Sequence, residues 1–205
     1  MRIPKEGVLI IDIETTGLEG IPDDRVLEIG IAELRKGRVD EVYSSTVMYP
    51  DLKEHCSGKG NVWVFSHSDL RLEDIMEKGK DVSVVTEEVG EITKGRLVTS
   101  YNVAFDFDKF LSREPWKLDC IIPFDIIRLA TDRVYNLAYS DSIEDKVLQR
   151  RILDECRGNP DKWIRSEDAY RVLCADDPGR LGMRQRHRAM DDAVREGYIL
   201  KALEI

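Results

Sequence analysis

No stretch of this sequence stays apolar long enough to cross a bilayer. The longest run near the N-terminus, Val8 to Ile11, falls far short of the roughly 20 residues a spanning helix needs. Met1-Arg2-Ile3-Pro4-Lys5 lacks both an apolar h-region and a small-residue cleavage site. The expectation is a cytoplasmic protein with no secretory signal and no membrane partner. Cysteine is sparse: Cys56, Cys120, Cys156 and Cys174 stand far apart, with no C-x-x-C pair. That spacing excludes a cysteine-based zinc site and argues against a disulfide framework in a chain of 205 residues. Internal repeats, low-complexity tracts and linkers are also missing, so one domain over residues 1–205 is expected.

What is present suits a globular protein: 42% hydrophobic and 35% charged residues, enough for one well-buried core. The net charge of −9 argues at first against a phosphate-rich partner. Carboxylates gathered around divalent cations would reverse the local field, however, and gripping a strand end needs few phosphate contacts. Global charge leaves the question open.

Gly7 to Glu14 reads as a strand buried on both faces, central in a sheet. Arg25 to Leu34 sets Leu27, Ile29 and Ile31 on one face against neighbours such as Glu28. Lys36-Gly37 makes a tight turn into a returning strand from Val39 to Met48, completing a three-strand meander. Between Pro50 and Asp81, Gly58 and Gly60 read as loop and Leu70 to Met76 as a short helix. Val82 to Thr93 carries a helical stripe of Val85, Val89 and Ile92. Leu97 to Tyr101 is a fourth strand, and Asn102 caps a helix carrying Phe105, Asp106 and Leu111. Ile121 to Phe124 is a fifth strand, put at an edge by Pro123, before a helix from Asp125 to Ala138. Residues 139–165 form a charged, partly helical segment, Ser166 caps a helix to Cys174, and a last helix runs from Arg188 to Leu203, burying Ala189, Ala193, Leu200 and Leu203. Strands first, then strands interleaved with helices, define an α/β fold with a mixed sheet.

Asp12 and Glu14 carry the chemistry. At i and i+2 of a strand they share a face, with Cα atoms roughly 6.6 Å apart. Buried unpaired charge is costly, so two acids there ask for a cation; a strand end pointing both into water is the alternative. Thr15-Thr16-Gly17-Leu18 turns sharply and exposes N–H groups. Asp106 sits one turn into its helix, where negative charge is favoured with or without a metal. Near the C-terminus, His187 precedes Asp191 and Asp192. Full helicity would pair His187 with Asp191, whereas pairing with Asp192 requires His187 on a loop folded back over the helix. Arg180, Arg184, Arg186 and Arg188 offer positive charge for phosphates. His55 and His67 lie in polar, loop-like sequence and were not expected to act.

Three segments in order, Ile11-Asp12-Ile13-Glu14-Thr15-Thr16-Gly17-Leu18, Tyr101-Asn102-Val103-Ala104-Phe105-Asp106 and His187-Arg188-Ala189-Met190-Asp191-Asp192-Ala193, resemble the motifs of the DEDDh 3′–5′ exonucleases. That family includes the proofreading epsilon subunit of polymerase III, ribonuclease T and oligoribonuclease. Its H-x-A-x-x-D-A spacing selects Asp192 over Asp191. At Tyr101 the family usually has His, and residues 139–165 are longer than common connections, a candidate charged helical insertion.

The resemblance implies a ribonuclease H-like fold, with an antiparallel meander plus parallel strands flanked by helices. It implies two divalent metal ions on Asp12, Glu14, Asp106 and Asp192, with Asp12 bridging and Asp106 on the side of the leaving oxygen. All-oxygen ligands suit Mg²⁺ or Mn²⁺. His187, with an ordinary pKa of about 6.5, is the expected general base. Thr15, Thr16, Gly17, Leu18, Asn102 and Phe105 are expected to hold the terminal nucleotide, with Leu18 wedged against its base. The substrate implied is the 3′ end of single-stranded or frayed DNA or RNA, with DNA ranked somewhat ahead and nucleoside 5′-monophosphates released. A proofreading role would need a polymerase or other protein partner. The rival readings are a catalytically silent nucleic-acid-binding or polymerase-associated module of the same fold, and a phosphatase acting on small nucleotides.

Overall fold

The computed structural model describes residues 5–159, 162–175 and 187–203. Five strands form one sheet in the order β4-β3-β2-β1-β5. β1 (Val8–Thr15) lies antiparallel to β2 (Val26–Arg35), which lies antiparallel to β3 (Arg38–Met48). The meander is as the alternation of apolar residues foretold. Lys36 and Gly37 both take positive φ, 52° and 73°, which matches the turn to the strand twist.

Three helices follow β3: α1 (Leu52–Lys59), α2 (Trp63–His67) and α3 (Leu72–Lys78). They replace most of what the sequence suggested was loop, and Gly58 lies inside α1. A two-residue strand, β4 (Lys80–Asp81), pairs in parallel with β3. α4 (Val82–Thr93) is capped by Asp81, whose carboxylate accepts from the Ser83 amide at 2.9 Å. β5 (Val98–Thr99) pairs in parallel with β1 on its other side. The strand expected at Ile121 to Phe124 is reduced to a single bridge between Leu97 and Ile121. Ile121 is exposed there, and Pro123 has no N–H to extend a ladder.

α5 (Val103–Asp106) is one turn, continued by a π-helical turn over Phe107–Leu111. Then come α6 (Ile126–Tyr139), α7 (Lys146–Gly158), α8 (Ser166–Leu173) and α9 (Ala189–Ala202). The charged segment beyond Tyr139 thus contains α7, which buries Leu148, Ile152 and Cys156 in the same cluster as α6 and α8. Ser166 does not cap α8: Arg165 holds that position, and the Ser166 hydroxyl is buried without a hydrogen-bond partner among the described residues. Leu203 is only partly buried, because α9 ends before it. No helix among the described residues is long and apolar enough to cross a membrane.

The two faces of β1 explain the core. Leu9, Ile11 and Ile13 point into a cluster with Val85, Val89, Phe107 and Phe110. Val8 and Ile10 point the other way, against Ile126, Ala130, Ile199 and Leu200 of α6 and α9. Strand alternation carries that second face on to Asp12 and Glu14. β2 is also buried on both faces, and Glu28 on the face opposite Leu27, Ile29 and Ile31 is 2% exposed. The cover over that face is α9.

Candidate active site

Asp12 is opposite Gly30 across the β1–β2 ladder, and Glu14 is opposite Glu28. Gly30 is where α9 touches the sheet. A Cβ there would meet the Ala189 carbonyl carbon and Met190 nitrogen at 2.4 Å, so only glycine admits the helix terminus. Glu28 then ties the helix down. Its carboxylate accepts from Arg188 Nε at 3.0 Å on both oxygens and from the Ala189 amide at 3.0 Å. Arg188, expected to meet phosphate, is therefore committed to a bidentate ion pair; Arg180, Arg184 and Arg186 lie outside the described residues.

His187 precedes α9 in the left-handed region, at φ 49°, a conformation costing a non-glycine residue about 1 kcal/mol or more. That bend folds its ring back over the first helical turn. One nitrogen of His187, one oxygen of Glu14 and one of Asp192 all lie within 4.8 Å of one another. Asp192 is 3% exposed and paired with Arg195; Asp191 is half-buried and outside this group. His187 thus lies before the helix, and Asp192 rather than Asp191 shares its group.

Asp106 arrives from β5. Its turn is started by Asn102, whose side chain accepts from the Phe105 amide at 3.3 Å. Asp106 is 4% exposed and its carboxyl is pushed up to about 7, chiefly by burial, against the pull of the Asn102 amide. Glu14 is pushed up to about 8, by burial first and then by Asp192, Glu28 and Asp106. Asp12 is raised well above the usual carboxylate range by burial, with Glu196, Asp192, Asp106 and Glu14 adding like charge. His187 is held below the usual imidazole range by burial, only partly countered by Asp192. Carboxylates crowded in this way favour protons or cations, and a neutral imidazole beside them can accept a proton.

This donor set fits divalent ions. The oxygens are hard ligands, they converge from three elements, and Arg195 is the one guanidinium paired with any of them among the described residues.

Around the acids, the residues expected to hold a nucleotide divide into two groups. Thr16 is inward: its hydroxyl accepts from the Arg25 amide at 2.9 Å and donates to Asp24 at 3.1 Å, and its own amide bonds Arg25 O. Neither group is available to a ligand, so Thr16 supports the loop instead. The Thr15 hydroxyl donates to Gly17 O at 2.7 Å. Leu18, in contrast, is 70% exposed, and its carbonyl accepts from Lys109 Nζ at 2.6 Å. That ammonium also lies 5.9 Å from the Phe105 ring centroid, so Leu18 and Phe105 flank one cation.

Sequence reasoning missed Trp63, Glu28 and Glu196. Trp63 of α2 is 52% exposed, stacks on His67 at 4.2 Å and meets His187 edge-on at 4.8 Å. Tyr101 is structural: its hydroxyl donates to Ile164 O at 2.8 Å, holding the segment before α8.

A mixed sheet with acids at the C-terminal end of β1, overlaid by a helix that brings a histidine and another acid, has the ribonuclease H-like fold. Residues 9–140 match the exonuclease family RNase T, and the chain belongs to that family; it is a nuclease. The match stops short of His187 and Asp192. Among solved structures, "Exonuclease X in complex with 5′ overhanging duplex DNA" is similar with a TM-score of 0.53 and 16% identity, over 96% of this chain and 90% of that one. The zinc-bound complex of E. coli exonuclease I with single-stranded DNA gives 0.61 and 13%, over 97% of this chain and 40% of that one. Exonuclease I from Methylocaldum szegediense gives 0.56 and 15%, over 96% and 40%. The chain thus spans nearly all of exonuclease X but about two-fifths of the exonuclease I chains. No curated protein matches it.

Proposed function

We propose that the protein is a 3′–5′ exonuclease that hydrolyses the terminal phosphodiester of single-stranded or frayed nucleic acid, with two divalent ions, Mg²⁺ or Mn²⁺, held by Asp12, Glu14, Asp106 and Asp192. The observation that carries this is the meeting of Glu14, His187 and Asp192, from opposite ends of the chain, within 4.8 Å beside Asp12 and the buried Asp106. DNA ranks ahead of RNA because exonuclease X and exonuclease I were solved with DNA.

Bound at these acids, divalent ions supply charge neutralisation on the attacked phosphate and lower the pKa of a water. The chain's own groups do the rest. The His187 nitrogen facing Glu14 and Asp192 is neutral at pH 7 and takes the proton of the attacking water. Asp192, fixed by Arg195, keeps that ring oriented. Exposed Leu18 and Trp63, with the partly buried Phe105, present apolar surface on which terminal bases stack, and Lys109 lies between Leu18 and Phe105. Thr16 and Asp24 hold the loop that carries Leu18.

The test is degradation of matched single-stranded DNA, RNA and mismatched-end duplex with Mg²⁺ or Mn²⁺, alongside Asp12→Asn. Metal-dependent release of nucleoside 5′-monophosphates by wild type and not by the variant is expected. Equal activity of the variant would overturn the assignment, and hydrolysis of mononucleotides alone would favour a phosphatase.

A further inference from the structure

The helix that delivers Asp192 delivers a second acid one turn later. Asp192 and Glu196 are four residues apart on α9 and so share a face. Glu196 is 3% exposed, and its Oε2 is buried with no hydrogen-bond partner among the described residues. A buried carboxylate oxygen without a partner is costly, and among the described residues Asp125 Oδ1 is the other one. Its surroundings are the acids of the site: Asp106 bears on it most strongly, then Asp192, and Arg195 and the Tyr101 amide act in the opposite direction. Of the acids around Asp12, Glu196 exerts the strongest effect, ahead of Asp192, Asp106 and Glu14.

These relations divide the cluster. Glu14, His187 and Asp192 converge on one side. The remaining carboxylates are Asp12, on which Glu196 acts most strongly, and Asp106, which acts most strongly on Glu196; Asp12 and Asp106 alone would give an ion two protein carboxylates. We propose that Glu196 is a fifth carboxylate ligand of the metal centre, binding the ion that Asp12 and Asp106 hold. The charges agree with this. Glu28 is matched by Arg188, and among the described residues Arg195 is the one guanidinium paired within the cluster.

The inference rests on the metal-dependent reading above, and the experiment separates the two. Mn²⁺ binding to metal-free wild type, Glu196→Gln and Asp12→Asn is measured by calorimetry, with free Mn²⁺ counted by electron paramagnetic resonance. Glutamine keeps the shape and removes the charge, so a merely space-filling Glu196 would leave binding unchanged. Wild type is expected to bind two Mn²⁺, with Glu196→Gln losing one of them or weakening it at least about tenfold. Two ions with unchanged affinities in Glu196→Gln overturn the proposal while leaving the metal reading intact. No Mn²⁺ bound to wild type overturns both. Should Glu196→Gln fail to fold, anomalous diffraction from Mn²⁺-soaked wild-type crystals decides. An ion at coordination distance, about 2.1–2.2 Å from a Glu196 oxygen, is expected; ions that leave Glu196 out of their ligand shells refute the assignment.

Discussion

Replacing Gly30 with alanine puts a methyl group where α9 leaves no room for one. The new Cβ would be 2.4 Å from the Ala189 carbonyl carbon and the Met190 nitrogen, and 2.5 Å from the Ala189 oxygen. Ordinary contact begins near 3.4 Å, so strand and helix terminus must separate by about 1 Å. Every neighbour is backbone, and the terminus is tethered by Glu28 to Arg188 and to the Ala189 amide, so no side chain can simply rotate away. Overpacking of this kind costs about 1–3 kcal/mol. At about 2–4 °C per kcal/mol for a domain of this size, the thermal midpoint falls by roughly 2–12 °C. Because the displaced turn carries His187 and Asp192, a shift of about 1 Å lowers turnover by roughly a hundredfold. The assay is a thermal melt in EDTA together with turnover on a single-stranded oligonucleotide under saturating Mn²⁺. Gly37→Ala is the control. Gly37 sits at φ 73° with nothing near its Cβ position, so alanine there costs about 1 kcal/mol of strain and leaves activity intact. Wild-type stability and turnover in Gly30→Ala would refute the close packing of α9, and an equal loss of turnover in Gly37→Ala would show that the effect is not local.

His187→Ala is expected to keep Mn²⁺ binding and lose at least about a hundredfold in turnover, because only the proton transfer is removed; turnover within a few-fold of wild type would exclude His187 as the base. Its pKa is lowered by burial, so the acid limb of kcat/KM against pH is expected below pH 6.5, and a limb above 7 would contradict the neutral ring. In metal-free protein, Glu14 and Asp106 have folded pKa values of about 8 and about 7, raised from 4.5 and 3.8. The folded state then keeps protons the unfolded chain has lost, so stability falls as pH rises from about 4.5 to about 8. Asp24 titrates in the other sense: burial opposes its charge, but bonds from Lys59, Glu19 and Thr16 hold it low, so its contribution is lost only in acid below that window. Melts in EDTA at pH 5, 6.5 and 8 check this, and a flat or rising midpoint would count against the crowded carboxylates. Trp63→Ala removes the exposed ring beside His187 and is expected to lower kcat/KM on oligonucleotides about tenfold; calorimetry with a non-cleavable oligonucleotide shows whether binding accounts for it.

The parts of the site legible in the sequence were those whose meaning is local. Strand alternation set Asp12 and Glu14 on the face begun by Val8 and Ile10, and the need for His187 to lie off the helix followed from helical angles alone. Asp106 and Asp192 were identified through the family motifs, since a helix terminus attracts acids for its own reasons. Glu196 was hidden because an Arg-Glu pair on a C-terminal helix reads as a solvated face; its i+4 relation to Asp192 was the available signal. Glu28 reads only as the polar neighbour of Leu27 and Ile29, because nothing in β2 announces that α9 covers its other side. α1 went unread because only Leu52 and Cys56 are buried along it, with Gly58 near its end. Tertiary contacts hold it: Lys59 Nζ lies 2.6 Å from Asp24, and the His55 ring lies 3.1 Å from the Thr16 hydroxyl.

The most direct measurement is a time course on a 5′-labelled single-stranded DNA oligonucleotide, with Mn²⁺ and with EDTA. The carboxylate site read as a metal-dependent 3′–5′ exonuclease predicts a descending ladder of labelled products with Mn²⁺ and an unchanged strand with EDTA. Release of the label as the first product, a single internal cut, or cleavage in EDTA would contradict it.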